Sequence, residues 1–309
     1  MEIVFPVSGV EAPIWLPPLV AFVVSLFTSM AGVSGAFLLL PFQMSVLHFE
    51  TPAVSPTNMV FNVVGIPGGV YRYLKEDRLV WPLTAAVIVG TLPGVIIGVW
   101  VRLSLLADPR PFKAFVGVVL LYIGYRLFRD FFRYRRNGTT KEARSSPAAE
   151  VVASDWNVKL IAFNSRVLEF EFRGRAYRCS TPGIIVISFV VGIVGGAYGV
   201  GGGAIVAPVL VTFYGLPVHA VAGATLMGTF VTSVVGVLAY QVVGFATAAN
   251  GVPVAPDWLL GGLFGVGGLI GMYTGARLQR HFPSDWLKIM LGLIVLFVSI
   301  RYVLGYLVQ

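Results

Sequence analysis

Two short glycine-rich runs are where this chain could hold an anion: Gly32-Val33-Ser34-Gly35 and Gly199-Val200-Gly201-Gly202-Gly203. Exposed backbone N–H groups and helix N-termini carry partial positive charge, and a residue without Cβ lets a ligand approach that backbone closely. A polar face follows each run, with Asn58 and Asn62 after the first and Thr225, Thr229 and Ser233 after the second. Side chains four apart share one helical face, so these amide and hydroxyl donors can converge on a cavity. The candidate binding residues are therefore Gly32, Ser34, Gly35, Asn58, Asn62, Gly199, Gly201, Gly202, Thr225, Thr229 and Ser233. Interhelical hydrogen bonding, routine in membrane helices, is the alternative role for the polar ones.

Other chemistries lack their residues. Glu50, Asp77, Asp108, Asp257 and Asp285 all fall at the ends of apolar runs or between them, whereas cation pathways and proton relays usually place carboxylates inside. His48 and His219 are isolated, and a lone histidine at a helix end is commonly just solvated. Arg72 fits either an anion attractor or a snorkelling interfacial arginine. There is no GxSxG or HExxH run and no pair of intramembrane aspartates, so no enzyme, metal site or cofactor is expected. The single cysteine, Cys179, has no partner for a disulfide or a CxxC site. A net charge of +8 could suggest nucleic acid, but the Lys and Arg collect in 126–178 and at the ends of apolar runs, without a basic groove interleaved with aromatics.

The elements that must position these residues are membrane helices. With 57% hydrophobic residues, 12% charged and a mean hydropathy of +0.84, the chain lies outside the soluble range, and long apolar runs without alternation select helices over a barrel. The chain is also written twice. Gly32 to Pro41 aligns without a gap on Gly199 to Pro208, and Tyr73 falls on Tyr240; Trp81, Gly90, Gly94 and Gly98 match Trp258, Gly267, Gly271 and Gly275, and Lys113, Gly117 and Arg126 match Lys288, Gly292 and Arg301. Four regions follow: an N-terminal segment 1–16, membrane repeat 1 at 17–133, a cytoplasmic linker with a small β element at 134–180, and membrane repeat 2 at 181–309. The spacing Gly94-xxx-Gly98 and Gly271-xxx-Gly275 suits close helix packing better than ligand binding.

Each half opens with two apolar pieces around its glycine run, 17–31 and 35–48, then 183–198 and 203–215. Fifteen residues rise only about 22 Å as a helix, short of a hydrocarbon core of ~30 Å. A re-entrant hairpin with its tip at the glycines is one solution; a kinked helix or a tight helix contact is the other. Three ordinary spans follow in each half, near 54–73, 80–101 and 112–132, then 219–240, 257–276 and 287–307. A returning hairpin plus three crossings makes the second half inverted relative to the first. Charge agrees in two connections: Lys75 and Arg78 face a counterpart at 241–257 without Lys or Arg, and the basic 126–178 faces a nearly uncharged C-terminus. The connections near 102–113 and 277–288 are both basic, which weakens the inference. Both termini are then expected outside the cytoplasm, with no removable signal peptide at the start. In the insert, 135–149 reads as a flexible linker, while 158–163 and 167–172 alternate as strands before a turn at 173–175. The fold class expected is an all-α integral membrane protein of two inverted repeats, each a glycine-broken hairpin plus three transmembrane helices, with a small β-rich cytoplasmic insert.

On these residues the chain resembles the TauE/SafE sulfite exporter family, also called the toluene sulfonate uptake permease family. The resemblance covers both membrane halves and rests on Gly-Val-Ser-Gly at 32–35 with Pro41, on Gly-Val-Gly-Gly-Gly at 199–203 with Pro208, and on Ala222-Gly223-Ala224-Thr225 followed by Thr229 and Ser233. It implies transport of sulfur-containing anions such as sulfite or sulfoacetate, commonly as export from bacterial cells, by a multi-pass protein of the inner membrane. The expected mechanism is alternating access, the two hairpin-bearing halves rocking about a central site. Expected partners are the small anion and the lipid bilayer, with no nucleic acid; a homodimer is open, as are the identity of the anion, its direction and its coupling ion. The rival reading is a membrane-embedded sensory or assembly subunit that uses 134–180 as its interaction surface, and an intramembrane enzyme ranks behind both.

Overall fold

The computed structural model describes residues 2–30, 34–75, 79–136, 158–172, 174–247, 252–278 and 284–307; Gly32 and the linker stretch 137–157 lie outside them. The first half contains α1 (Leu16–Met30), α2 (Ala36–Ser45), α3 (Val54–Lys75), α4 (Trp81–Ser104) and α5 (Pro109–Arg136). The second contains α6 (Thr181–Tyr198), α7 (Gly202–Tyr214), α8 (Val218–Thr247), α9 (Trp258–Leu278) and α10 (Ser284–Leu307). Among the described residues, four stretches are long and apolar enough to cross a membrane: Trp81–Ser104, Thr181–Tyr198, Ala220–Ala246 and Trp258–Gly275. The chain is a helical membrane protein. The boundaries are set locally: Ser180 caps α6 by accepting from the Gly183 N–H at 3.3 Å, Pro82 opens α4, and Gly199 and Gly215 close α6 and α7 in the left-handed conformation.

Glycine decides which helices meet. A Cβ on Gly90, Gly94 or Gly98 of α4 would strike the carbonyl oxygens of Ile185, Phe189 and Ile193 in α6. In the second half, Gly267, Gly271 and Gly275 of α9 lie in the same way on the carbonyls of Pro18, Phe22 and Leu26 in α1. The spacing does mark packing sites, and the partner in each case is a helix of the opposite half. Residue numbers rise together across both contacts, so α4 runs parallel to α6, and α9 to α1. Two other pairs run antiparallel: Gly117 and Gly124 of α5 face Tyr302 and Leu296 of α10, and Met59 and Tyr73 of α3 face Gly236 and Gly223 of α8. The Tyr214 hydroxyl at the end of α7 occupies the space a Gly183 side chain would need at the start of α6. Near the end of α2, Phe42 meets Phe264 edge-on at 6.4 Å, at the level of α9 that receives the start of α1. The hydroxyl of Tyr302 in α10 donates to the Pro41 carbonyl of α2 at 3.2 Å, and that of Ser299 donates to the Gly117 carbonyl of α5 at 2.7 Å.

The N-terminal segment carries structure that its sequence does not announce. β1 (Glu2–Val4) and β2 (Glu11–Pro13) pair antiparallel, and Phe5, Val10 and Ala12 are buried in the main core. Asp257 holds this hairpin down. Its Oδ2 accepts from the Val7 N–H at 3.2 Å, the Ser8 N–H at 3.0 Å and the Ser8 hydroxyl at 2.8 Å, while Oδ1 accepts from the Leu260 N–H at 3.1 Å in the first turn of α9. The carboxylate is fully buried and satisfied. Asp257→Ala should expose the hairpin, costing roughly 2–4 kcal/mol for the lost charge-assisted hydrogen bonds. Hydrogen exchange at Val7 and Ser8 should accelerate; unchanged protection there would refute the tether.

The insert forms an antiparallel sheet in the order β3 (Val158–Phe163), β4 (Val167–Phe172), β5 (Arg175–Ser180). Leu168, Phe170 and Phe172 alternate inward along β4, and Phe170 stacks on Tyr177 at 5.7 Å. Cys179, opposite Leu168, is buried, and desolvation pushes its thiol up to about 11, which keeps it protonated and unreactive at neutral pH.

Candidate functional site

The two asparagines of α3 bind both glycine tips. Asn58 donates its amide hydrogens to the Ala36 carbonyl at 2.9 Å and the Gly199 carbonyl at 3.0 Å, and its oxygen accepts from Gln43 Nε2 at 3.2 Å. One turn on, Asn62 donates to the Val200 carbonyl at 2.8 Å and to Ser233 Oγ at 3.3 Å, and accepts from Ser34 Oγ at 3.0 Å. Both amides are fully buried. The structure thus joins Ser34 and Ala36 from one half to Gly199, Val200 and Ser233 from the other, through Asn58 and Asn62. Of the expected set, only Gly32 lies outside the described residues.

The second tip depends on having no side chains. Gly199 and Gly201 have φ of +87° and +78°, a region costly for other residues. A Cβ at Gly199 would sit 2.7 Å from Ser55 Cα, and one at Gly201 would sit 2.7 Å from Ser233 Oγ. The aligned threonines do different work from the asparagines. Thr225 and Thr229 donate back within α8, to the Val221 carbonyl at 3.0 Å and the Thr225 carbonyl at 2.8 Å, and they support the tip from behind at Gly203. Their neighbour Thr232 accepts from the Gly202 N–H at 3.2 Å, where α7 begins.

Several polar groups here were not singled out in the sequence. Ser25 Oγ and Thr28 Oγ1 of α1 lie about the first tip, at 3.1 and 3.3 Å from where a Gly35 Cβ would be, and both are fully buried with no hydrogen-bond partner. Gln43 Oε1 is likewise buried and unpaired. Each such atom costs about 1–3 kcal/mol in a dry interior, so these hydroxyls are free to hold a polar guest. Their only sequence signal is the spacing of two hydroxyl residues on one face of an apolar helix. The fourth omission is Arg102, which sequence reading places in a connection. The structure puts it in the last turn of α4, fully buried, because the helix continues past the expected end at 101.

Among the described residues Arg102 and Asp257 are the only charged side chains in the buried set, and no group of three or more His, Cys, Asp or Glu could hold a metal ion. About the two tips the Asn58 and Asn62 amide hydrogens go to carbonyls and Ser233, and the hydroxyls without a protein partner are those of Ser25 and Thr28.

Comparison with known proteins agrees with this architecture. Residues 18–302 match the model of the family described as Sulfite exporter TauE/SafE. The chain is 20% identical over 286 residues to a protein of Bacillus subtilis (strain 168) described as "Probable membrane transporter protein YunE", covering 89% of this chain and 92% of that one. No solved structure matches at a significant level. Glycine tips, repeat and family match converge on one assignment: the chain belongs to the sulfite exporter TauE/SafE family of membrane transporters, and not to a family of enzymes.

Proposed function

We propose that this transporter exports a small sulfur oxyanion, sulfite or a short organosulfonate such as sulfoacetate, across a bacterial inner membrane by alternating access at the junction of its two glycine tips. The observation that carries this reading is the pair Asn58 and Asn62, which tie a tip from each half to one helix in the interior. In this reading the seat is formed at Ser34 and Gly35 and at Gly199, Gly201 and Gly202, with Gly32 beside the first of these in sequence; the N–H groups of Gly199, Gly201 and Gly202 are taken up by the Gly195 carbonyl and Thr232 Oγ1, so these glycines contribute close approach to the backbone. Asn58, Asn62 and Ser233 fix its shape, and Thr225 and Thr229 support it from α8. Ser25 and Thr28 add hydroxyl donors to the first tip.

The halves at 17–133 and 181–309 are inverted repeats in this proposal, and α1–α2 and α6–α7 are re-entrant hairpins. Support comes from direction. Equivalent helices that meet each other, α3 with α8 and α5 with α10, do so antiparallel, as a two-fold axis lying in the membrane plane requires. The return of Tyr214 to Gly183 and of Phe42 to Phe264 favours two hairpins over two kinked spans. In this topology the insert, Lys75 and Arg277 share one side, which the positive-inside rule makes cytoplasmic. Of the basic groups near 102–113, Arg102 is buried and Lys113 is paired with Glu50 at 2.5 Å, which leaves the exposed Arg110 on the opposite side.

The test is flux. Purified protein in liposomes should release trapped sulfite or sulfoacetate faster than protein-free vesicles, with chloride a poor competitor. Rates equal to empty vesicles for sulfite and for several two-carbon sulfonates would exclude the proposal.

A further inference from the structure

We propose that Arg102 is an anion-binding residue, the charged station of the transport path, which selects an oxyanion by its charge and by its ability to accept from the unpartnered Nη2. The proposal rests on the transport reading above and adds to it the residue that recognises charge.

Arg102 is held from three directions. Its Nε donates to Ser55 Oγ at 3.2 Å, its Nη1 donates to the Leu106 carbonyl, and its guanidinium carbon lies 3.7 Å above the centroid of the Phe112 ring. Its Nη2 is buried and has no partner. A guanidinium cannot shed its proton to escape burial, and a buried charge needs a counter-charge. None is built in: the one buried carboxylate among the described residues, Asp257, is occupied by Val7, Ser8 and Leu260. The carbonyl end of α6, reached through Ser55, offsets part of the charge but is equivalent to only about half an elementary charge. The missing partner is an anion.

Position connects this group to the tips. The Ser55 hydroxyl that receives Arg102 donates to the Ala197 carbonyl at 3.1 Å, and the Ser55 backbone packs against Gly199, whose carbonyl is held by Asn58. Arg102 is thus one side chain away from the second tip. The Phe112 stack fixes the guanidinium plane, so Nη2 holds its hydrogens in a set orientation, from which it can donate a charge-assisted bond to a sulfite or sulfonate oxygen. At the offset that matches Gly98 to Gly275 the second half has Gln279, and at the offset that matches Lys113 to Lys288 it has Arg277, which is exposed where Arg102 is buried.

The experiment compares Arg102→Lys with Arg102→Gln in the full-length protein, reading sulfite and methanesulfonate affinity from substrate-dependent thermal stabilisation and flux from liposomes. Both variants lose the fork that grips Ser55 and Leu106, so a merely structural role predicts equal damage. A charge role predicts that Lys retains measurable affinity while Gln weakens it at least about tenfold. Equal affinities in the two variants, or a Gln variant within about twofold of wild type, would overturn the assignment. If Gln fails to fold, the unmodified protein with selenite decides: anomalous density within hydrogen-bonding distance of Arg102 supports the proposal, and density confined to the glycine tips overturns it. Wild-type protein that neither binds nor moves any sulfur oxyanion defeats the transport reading itself. Wild-type transport with an indifferent Gln variant defeats only the role of Arg102.

Discussion

Leucine in place of Gly94 or Gly271 should remove the folded transporter from the membrane. A side chain at Gly94 meets the Phe189 carbonyl and the backbone of Gly192 and Ile193; one at Gly271 meets the Phe22 carbonyl and Ser25. Such backbone obstacles cannot turn aside as a flexible side chain can, so the helices must separate along the seam where α4 meets α6 or α9 meets α1. Overpacking a core typically costs about 1–3 kcal/mol, and a rigid obstruction between two helix backbones belongs at or above that upper end. The control is Gly262, also in α9, where a Cβ would meet nothing within 4 Å; Gly262→Ala should be tolerated. Yield and thermal midpoint in detergent measure the contrast. A Gly94→Leu protein as stable as Gly262→Ala would mean that the seam does not hold the fold.

Asn58→Leu should reduce flux at least about tenfold while the protein still inserts, because it strands buried carbonyls on both tips at once. The Ala36 and Gly199 oxygens lose their donor, and Gln43 Nε2 loses its acceptor. Each orphaned group costs about 1–3 kcal/mol, enough to shift the tips relative to each other but less than the packing of the whole bundle contributes. Thr274→Val in α9 is the comparison, since its hydroxyl bonds only to the Ile270 and Gly271 carbonyls of its own helix; flux should stay within about twofold of wild type. If Asn58→Leu transports at the wild-type rate, the junction of the tips is not the pathway.

How much could be read in advance follows from the physics of each signal. The β strands of the insert were legible because Val167 to Phe172 alternate strictly, and the glycine ladders because spacing by four puts a bare stripe on one helical face. Spacing names the face but not its partner, so the pairing of α4 with α6 across the repeat boundary had to be seen in three dimensions. Asn58 and Asn62 stood out as amides within an apolar run, yet their aligned threonines implied a symmetry that the hydrogen bonds do not follow. Arg102 was obscured by its position at a helix end, where a long basic side chain is expected to reach water; only its burial makes it unusual. The N-terminal hairpin left no periodic trace, since each of its strands is three residues long. Asp257 was visible as a residue before a helix, but its tether runs to Val7 and Ser8 at the other end of the chain.

The crossed glycine seams separate ancestry from mechanics. The first helix of each repeat lies along the fourth helix of the other, α1 on α9 and α6 on α4, so under the proposed alternating access the moving bodies are mosaics of both repeats. Severing the chain inside the insert would yield two fragments, each with a bare groove waiting for a ridge that only its sibling carries. Neither fragment is a smaller transporter; made together, the two should find each other as a lock finds its key.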